Sequence, residues 1–162
     1  MSDQERTEFF TACKKIKQAM LVTQNPEGNL HARPMVVAAF EDDGDLWFAT
    51  DLDSAKVDEI QAKPKVCITM SEDAVYVSIS GNARVVRDPA KIEELWNETW
   101  QVWFPGGKTD PRLALINVDA RQGEYWSNSG LNGIKYLFNA MAAYAKGERP
   151  QVSHDQHGQV TL

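Results

Sequence analysis

Two hydroxyl residues and a lysine lie close together between a predicted strand and a predicted helix. The segment covers residues 47–57, and its polar members are Thr50, Ser54 and Lys56. Small hydroxyl donors, a flexible ammonium group and free amides at a helix N-terminus are the groups that bind a phosphate monoester. The segment therefore predicts a phosphate anchor. It matches neither a Walker loop nor a glycine-rich dinucleotide fingerprint, so the kind of phosphate stays open.

The same three residues also have an interpretation that involves no ligand. Ser54 stands where a helix N-cap is expected, and a lysine in the first turn of a helix is commonly solvated. Spacing alone does not separate a capped helix from a phosphate site, since short motifs produce many false matches.

A second candidate lies on the predicted strand 30–41. Strand alternation places His31, Arg33, Met35 and Val37 on one face and Leu30, Ala32, Val36 and Ala38 on the other. An arginine within an apolar strand requires a partner, such as a carboxylate at a barrel rim. Pro34 cannot donate a ladder hydrogen bond, so we expect an open edge or a bulge there. A flat ring with carbonyl groups at its rim would meet such an edge.

Short strands joined by tight turns are expected to position these residues. The predicted strands cover 19–24, 30–41, 46–50, 65–71, 74–87, 113–118 and 124–127. The predicted helices cover 4–19, 54–62, a segment from Asp88-Pro89 to Pro105, and about 131–146, followed by a polar tail. Gly81 predicts a bulge, a bend or a close backbone approach within its strand. This order favours one domain over residues 1–162, mainly β with flanking helices (α+β), with a closed or nearly closed antiparallel sheet.

Aromatic residues and cysteines are expected to have packing roles. Trp96, Trp100 and Trp103 follow at spacings of four and three, which predicts one helix face buried in the core or in a dimer interface. Cys13 and Cys67 are expected to be buried thiols without a catalytic role.

The composition argues against several classes of partner. The 162 residues carry a formal net charge of −6, which gives no basic surface for nucleic acid or for an anionic membrane. A signal peptide and an apolar spanning segment are not evident, so we expect the cytoplasm. His154 and His157 stand in a polar tail with few other ligands, so we predict no metal site.

Five segments together resemble a known family. They are residues 31–35, 46–56, 81–85, 103–107 and 124–126. Their order and spacing are similar to those of the FMN-binding split-barrel superfamily of pyridoxamine 5′-phosphate oxidase, in particular its bacterial general stress protein branch.

The resemblance implies a six-stranded antiparallel split β-barrel that forms a homodimer with flavin at the subunit interface. The implied cofactor is FMN, with FAD as the alternative. By position, Thr50, Ser54 and Lys56 would hold the phosphate, and Trp126 would lie close to the flavin. Three further residues would line the flavin ring, partly through backbone groups: Arg33, Pro34 and Met35.

The departures from the family pattern limit the activity. Ala55 and Ala38 stand where the oxidases commonly carry an arginine and a lysine, which predicts weaker phosphate binding. Residues 127–133 contain none of the arginine and histidine that grip the oxidase substrate after the tryptophan. Oxidation of pyridoxamine or pyridoxine 5′-phosphate is therefore not expected. Two functions remain: a flavin-dependent oxidoreductase for another small molecule, and a flavin-binding stress or sensor protein without efficient turnover. A scaffold for a different phosphate ligand is a weaker third, and no catalytic residue is identified.

Overall fold

The computed structural model describes residues 3–127 and 157–161. Its helices and strands are, in chain order, α1 (Asp3–Lys15), β1 (Gln18–Gln24), β2 (Leu30–Phe40), β3 (Asp45–Asp51), α2 (Ala55–Ala62), β4 (Lys65–Glu72), β5 (Val75–Val86), α3 (Pro89–Leu95), β6 (Leu113–Ser127) and β7 (His157–Thr161). Two short 3₁₀ helices, Glu98–Val102 and Gly107–Thr109, join α3 to β6.

Six of the strands close into an antiparallel barrel. The strand order is β3-β2-β1-β4-β5-β6, and β3 pairs with β6 to complete the circle. Strand β7 adds to β6 outside this circle, between Gln122 and Trp126. The predicted mainly β, six-stranded antiparallel barrel is thus confirmed.

Strand alternation fills the barrel with apolar side chains. Leu21, Ile68 and Ile79 lie directly opposite one another on β1, β4 and β5, and all three are fully buried. The next residue in this row is Gly123 on β6, and the ring of Phe9 occupies the space that a side chain would take there. Helix α1 is therefore held against the barrel by its aromatic face.

Gly81 marks an irregularity in the β5–β6 ladder, as predicted. The register shifts between Ser80 and Gly81, which leaves Arg121 as an extra residue on β6. A Cβ atom at Gly81 would lie 2.3 Å from the Asp119 carbonyl oxygen, so only glycine permits this backbone approach.

The predicted tryptophan helix is wrong in its extent. Helix α3 ends at Leu95, and the ψ angle of Trp96, 131°, is not helical. Trp96 and Trp100 still make an edge-to-face contact at 5.8 Å, but Trp103 is 72% exposed rather than buried. Asn97 explains the break, because its side chain accepts from the Thr99 amide and starts a separate 3₁₀ turn.

Three other boundaries differ from the prediction. Helix α1 ends at Lys15 instead of residue 19. The predicted strands 113–118 and 124–127 are one continuous strand, because β5 pairs along nearly its whole length. Part of the predicted polar tail forms β7. The helix predicted at 131–146 and His154 lie outside the described residues, and a single domain over 1–162 stays a prediction.

The two cysteines are free thiols. Cys13 is fully buried, and this burial raises the pKa of its thiol to about 12. Cys67 is only partly buried and lies 3.7 Å from the Ser78 hydroxyl.

None of the helices within the described ranges is long and apolar enough to span a bilayer.

Candidate functional site

The barrel opens where β2 and β3 separate. Their ladder begins at Val37 and Phe48 and runs from there toward the hairpin turn. Before Val37, strand β2 pairs only with β1, and Pro34 lies opposite Met20. The open edge predicted from Pro34 is therefore present, and β3 continues beyond Phe48 as a partner of β6 alone.

The backbone of β2 directs polar groups into this opening. The Val37 amide donates to the Lys17 carbonyl oxygen at 2.8 Å, on the β1 side. Successive residues of an antiparallel strand direct their amide and carbonyl groups to opposite edges. The Val36 N–H and the Pro34 carbonyl oxygen therefore face the open edge.

A cleft of about 730 Å³ occupies the opening. Strands β2 and β3 form two of its walls, α2 contributes a lysine, and the segment 99–104 together with the residue before β6 closes the far side. The lining residues are Pro34, Met35, Val36, Ala49, Thr50, Asp51, Lys56, Thr99, Trp100, Val102, Trp103, Phe104 and Arg112. Ligand clefts commonly have this mixture of aromatic walls and a few converging polar groups.

The loop between β3 and α2 departs from the expected capping. Ser54 occupies the N-cap position, but its hydroxyl donates to the Asp51 carbonyl oxygen at 2.6 Å and makes no cap hydrogen bond. The first-turn amides of α2 are thus left without the side-chain acceptor that a serine usually supplies. Thr50 is only 3% exposed. Its hydroxyl lies 3.3 Å from the Asp51 carbonyl oxygen and 3.4 Å from the Ser54 hydroxyl, so both contacts are long.

Lys56 is a half-buried cation in the cleft. It forms no ion pair with any residue in the described ranges. Burial lowers the pKa of its ammonium group, and the positive charge of Arg33 lowers it further, while Asp51 and Glu59 act in the opposite direction. An anion bound beside Lys56 would relieve this unfavourable environment.

Arg33 lies in a separate, partly buried cluster and is not one of the residues that line the cleft. Its guanidinium donates to the Glu59 carboxylate at 2.9 Å and to the Thr23 hydroxyl. His31 Nδ1 lies 3.1 Å from the same carboxylate. Burial favours the neutral form of Glu59, but hydrogen bonds from Thr23, His31 and Arg33 outweigh it and lower the carboxyl pKa. The predicted shared face of His31 and Arg33 is confirmed, and so is the need of Arg33 for a partner.

Trp126 lies on the other side of Pro34. It lines a second hollow of about 390 Å³ together with Met20 and Tyr76, and Pro34 borders both this hollow and the cleft. The structure thus brings Pro34, Met35, Thr50 and Lys56 into one cleft with Ser54 beside them. It does not bring Arg33 or Trp126 into that cleft.

Several cleft residues were not predicted from the sequence. Trp100, Trp103 and Phe104 belong to segments that predict packing or carry the family resemblance, and no sequence pattern predicts that Arg112 lines the cleft. The Pro105-Gly106-Gly107 sequence was the available signal, since it ends regular structure and lets the aromatic segment turn back over the cleft.

The donor set fits a phosphorylated ring compound such as a flavin mononucleotide. One end of the cleft offers the Thr50 hydroxyl and the Lys56 ammonium group, at the start of a helix whose N-cap serine makes no side-chain cap hydrogen bond. The other end offers the Val36 amide on the open strand edge and flat aromatic side chains. Phosphate and an aromatic heterocycle require these two kinds of surface.

Comparison with known protein families identifies the family of the chain. A family model described as pyridoxamine 5'-phosphate oxidase like matches residues 4–151. The chain belongs to this family. A curated relative of the chain is protein bli-3 of Neurospora crassa, which is 29% identical over 135 residues and covers 76% of the chain. The chain spans 65% of the length of bli-3.

Solved structures related to this family have the same fold. The general stress FMN/FAD binding protein of Xanthomonas citri is 34% identical, with a TM-score of 0.69 over 80% of this chain and 92% of that one. The structure of a candidate general stress protein 26 from Jannaschia sp. CCS1 aligns over 99% of this chain and 100% of that protein's chain, with a TM-score of 0.75. Its identity is 22%, so it bears on the fold only.

Proposed function

We propose that the protein binds FMN, with FAD as the alternative, in the cleft between β2 and β3 and acts as a flavin-dependent oxidoreductase of the general stress type. The observation that carries the proposal is the opening of the β2–β3 ladder beside Thr50 and Lys56. This opening brings a backbone edge for a ring and a cationic anchor for a phosphate into one cleft. The name of the Xanthomonas citri relative, an FMN/FAD binding protein, agrees with this choice of ligand.

A bound flavin would supply the hydride or electron transfer, and the chain would bind and orient it. Lys56 and Thr50 would hold the phosphate, with Ser54 setting the loop through its bond to Asp51. The Val36 N–H would donate to the ring edge at the open strand. Trp100 and Trp103 would cover the ring and exclude water from it.

The substrate is proposed to differ from that of the pyridoxamine phosphate oxidases. Residues 127–133 lack the arginine and histidine that would bind a phosphorylated pyridine substrate. The same lack favours a second function, a flavin-binding stress or sensor protein without efficient turnover. Both functions require the same cleft and the same flavin.

We further propose a homodimer in which a second copy covers the outer barrel surface next to the cleft. Met20, Tyr76 and Trp126 are exposed there by 38%, 52% and 36%. Large apolar side chains in one hollow are typical of interface cores. Sedimentation of Tyr76→Glu should show monomers, whereas Gln61→Glu on the exposed face of α2 should sediment as the unchanged protein does. A monomeric unchanged protein would contradict the dimer.

The decisive experiment is an anaerobic absorbance titration with FMN, followed by NADH or NADPH. A perturbed flavin spectrum that bleaches after addition of the nicotinamide supports the oxidoreductase. A perturbed spectrum that stays oxidised with both donors supports the binding protein. An unperturbed spectrum, without co-purified flavin, would contradict flavin binding itself.

A further inference from the structure

We infer that Arg112 is a second cation of the phosphate subsite, together with Lys56. The inference rests on the proposed flavin site and names a residue that neither the motif nor the resemblance assigned. Arg112 precedes β6, far along the chain from Lys56, yet both side chains line the same cleft.

The backbone of Arg112 is fixed on two sides. Its carbonyl oxygen accepts from the Leu52 amide at 2.9 Å, which ties it to the loop that holds the phosphate anchor. Its own amide donates to the Asp110 carboxylate at 3.0 Å. Asp110 is buried and also accepts from the Gly106 amide, and these two backbone bonds lower its pKa. The position of Arg112 is therefore set before any ligand binds.

The side chain of Arg112 is placed to bind an anion. It is half exposed, and Nη1 lies 3.3 Å from the Asp51 carboxylate. That distance allows an ion pair but leaves the remaining guanidinium N–H groups available. Asp51 belongs to the cleft and would repel a phosphate, and Arg112 neutralises this charge while offering further donors.

The charged side chains of the cleft have a net positive charge only when Arg112 is included. A phosphate monoester carries about −1.5 to −2 charges at pH 7. Lys56 supplies one positive charge and Asp51 one negative charge, so these two residues alone would leave the cleft neutral. Arg33 does not correct the balance, because it is paired with buried Glu59. With Arg112 the cleft becomes cationic.

The test compares FMN with riboflavin, which has the same ring and no phosphate. In Arg112→Ala we expect FMN affinity to fall about tenfold or more, with riboflavin affinity unchanged within about twofold. Arg112→Lys should recover part of the FMN affinity, since it restores charge but not the planar fork. Arg121→Ala is the matched control, because Arg121 is 62% exposed and pairs with Asp119 outside the cleft.

The outcomes separate this inference from the proposed function. If the unchanged protein binds FMN and Lys56→Ala weakens it, but Arg112→Ala affects neither ligand, the role of Arg112 is wrong and the flavin site stands. Equal loss of FMN and riboflavin affinity in Arg112→Ala would also contradict a phosphate contact. If the unchanged protein binds FMN no more tightly than riboflavin, the phosphate anchor and the role of Arg112 fail together.

Discussion

Arg33 and Glu59 form an ion pair, Nη2 to Oε2 at 2.9 Å, that joins strand β2 to helix α2. The carboxylate is only 6% exposed and the guanidinium 21%. Arg33 is followed directly by Pro34, and Glu59 lies one turn after Lys56 on α2. The pair therefore connects β2, which forms one wall of the cleft, to the helix that carries Lys56, although it does not line the cleft itself.

Removal of this carboxylate charge is expected to destabilise the protein. Glu59→Gln leaves Arg33 without a counter-charge, so we expect the free energy of unfolding to fall by about 3 kcal/mol. Urea denaturation followed by tryptophan fluorescence would measure it. Glu93→Gln is the control, because the Glu93–Lys108 pair is exposed and should contribute less than about 1 kcal/mol.

The sign of the pH dependence provides a second check on the same pair. The pKa of Glu59 in the folded protein lies below its ordinary value of 4.5. Its contribution is present above that value and is lost as pH falls through the lowered folded pKa. The difference between the unchanged protein and Glu59→Gln should therefore shrink below pH 4.5, and a constant difference would contradict the ion pair.

The phosphate anchor should depend mainly on Lys56. Lys56→Ala removes a charge-assisted contact of about 1.5–3 kcal/mol, and FMN affinity should fall by about tenfold or more. Adding Ser54→Ala should bring the loss to about a hundredfold, because the loop loses its hydrogen bond to Asp51. Fluorescence titration with FMN and riboflavin measures the effect. Unchanged FMN affinity in the double variant would move the phosphate elsewhere.

Binding of FMN relative to riboflavin should weaken at alkaline pH. Burial and Arg33 lower the Lys56 pKa from its ordinary value of 10.5, so the free protein loses this charge below pH 10.5. Bound phosphate favours the ammonium form, so the FMN-to-riboflavin affinity ratio should fall as pH rises from 7 through the lowered pKa. The ratio removes ionisation of the shared ring. In Lys56→Arg the ratio should stay constant, since arginine remains charged.

The packing of helix α1 against the barrel predicts that substitutions at Gly123 and Phe9 have coupled effects on stability. A Cβ atom at Gly123 would lie 2.4 Å from the Phe9 ring, so Gly123→Ala should cost about 1–3 kcal/mol of unfolding free energy. A smaller side chain at Phe9 relieves this overlap. The variant Phe9→Leu/Gly123→Ala should therefore be more stable than the sum of the single effects predicts, and strict additivity in urea denaturation would contradict the packing.

The barrel and its irregularities could be predicted from local signals. Alternating apolar residues, Pro34 and Gly81 each have a physical consequence within their own strand, and the structure has the expected open edge and bulge. The closeness of Thr50 to Lys56 could be predicted because their strand, loop and helix follow one another along the chain.

Residues that meet only through tertiary contacts could not be predicted in the same way. In the sequence, Glu59 is one of several charged residues on a short helix. Only the pairing of β1 with β2 brings the Thr23 hydroxyl and the Arg33 guanidinium together at the Glu59 carboxylate. Arg112 reaches the cleft because β6 pairs with β3, more than fifty residues away in the sequence. The spacing of the tryptophans correctly indicates contact between Trp96 and Trp100, but it does not reveal that Asn97 starts a new turn and divides the predicted helix.

The two walls of the cleft differ in how the backbone is protected. Residues of β3 up to Asp51 lie in the ladder that closes the barrel, whereas Val36 directs its amide to an open edge. Native-state hydrogen exchange should therefore be slow at the β3 amides that donate to β6, at rates set by global unfolding, and fast at Val36. A ligand that fills the cleft would slow exchange at Val36 and leave exchange of those β3 amides unchanged. Ligand binding would then order the Val36 edge of the cleft, while the β3–β6 ladder on the opposite side would be as stable without the ligand as with it.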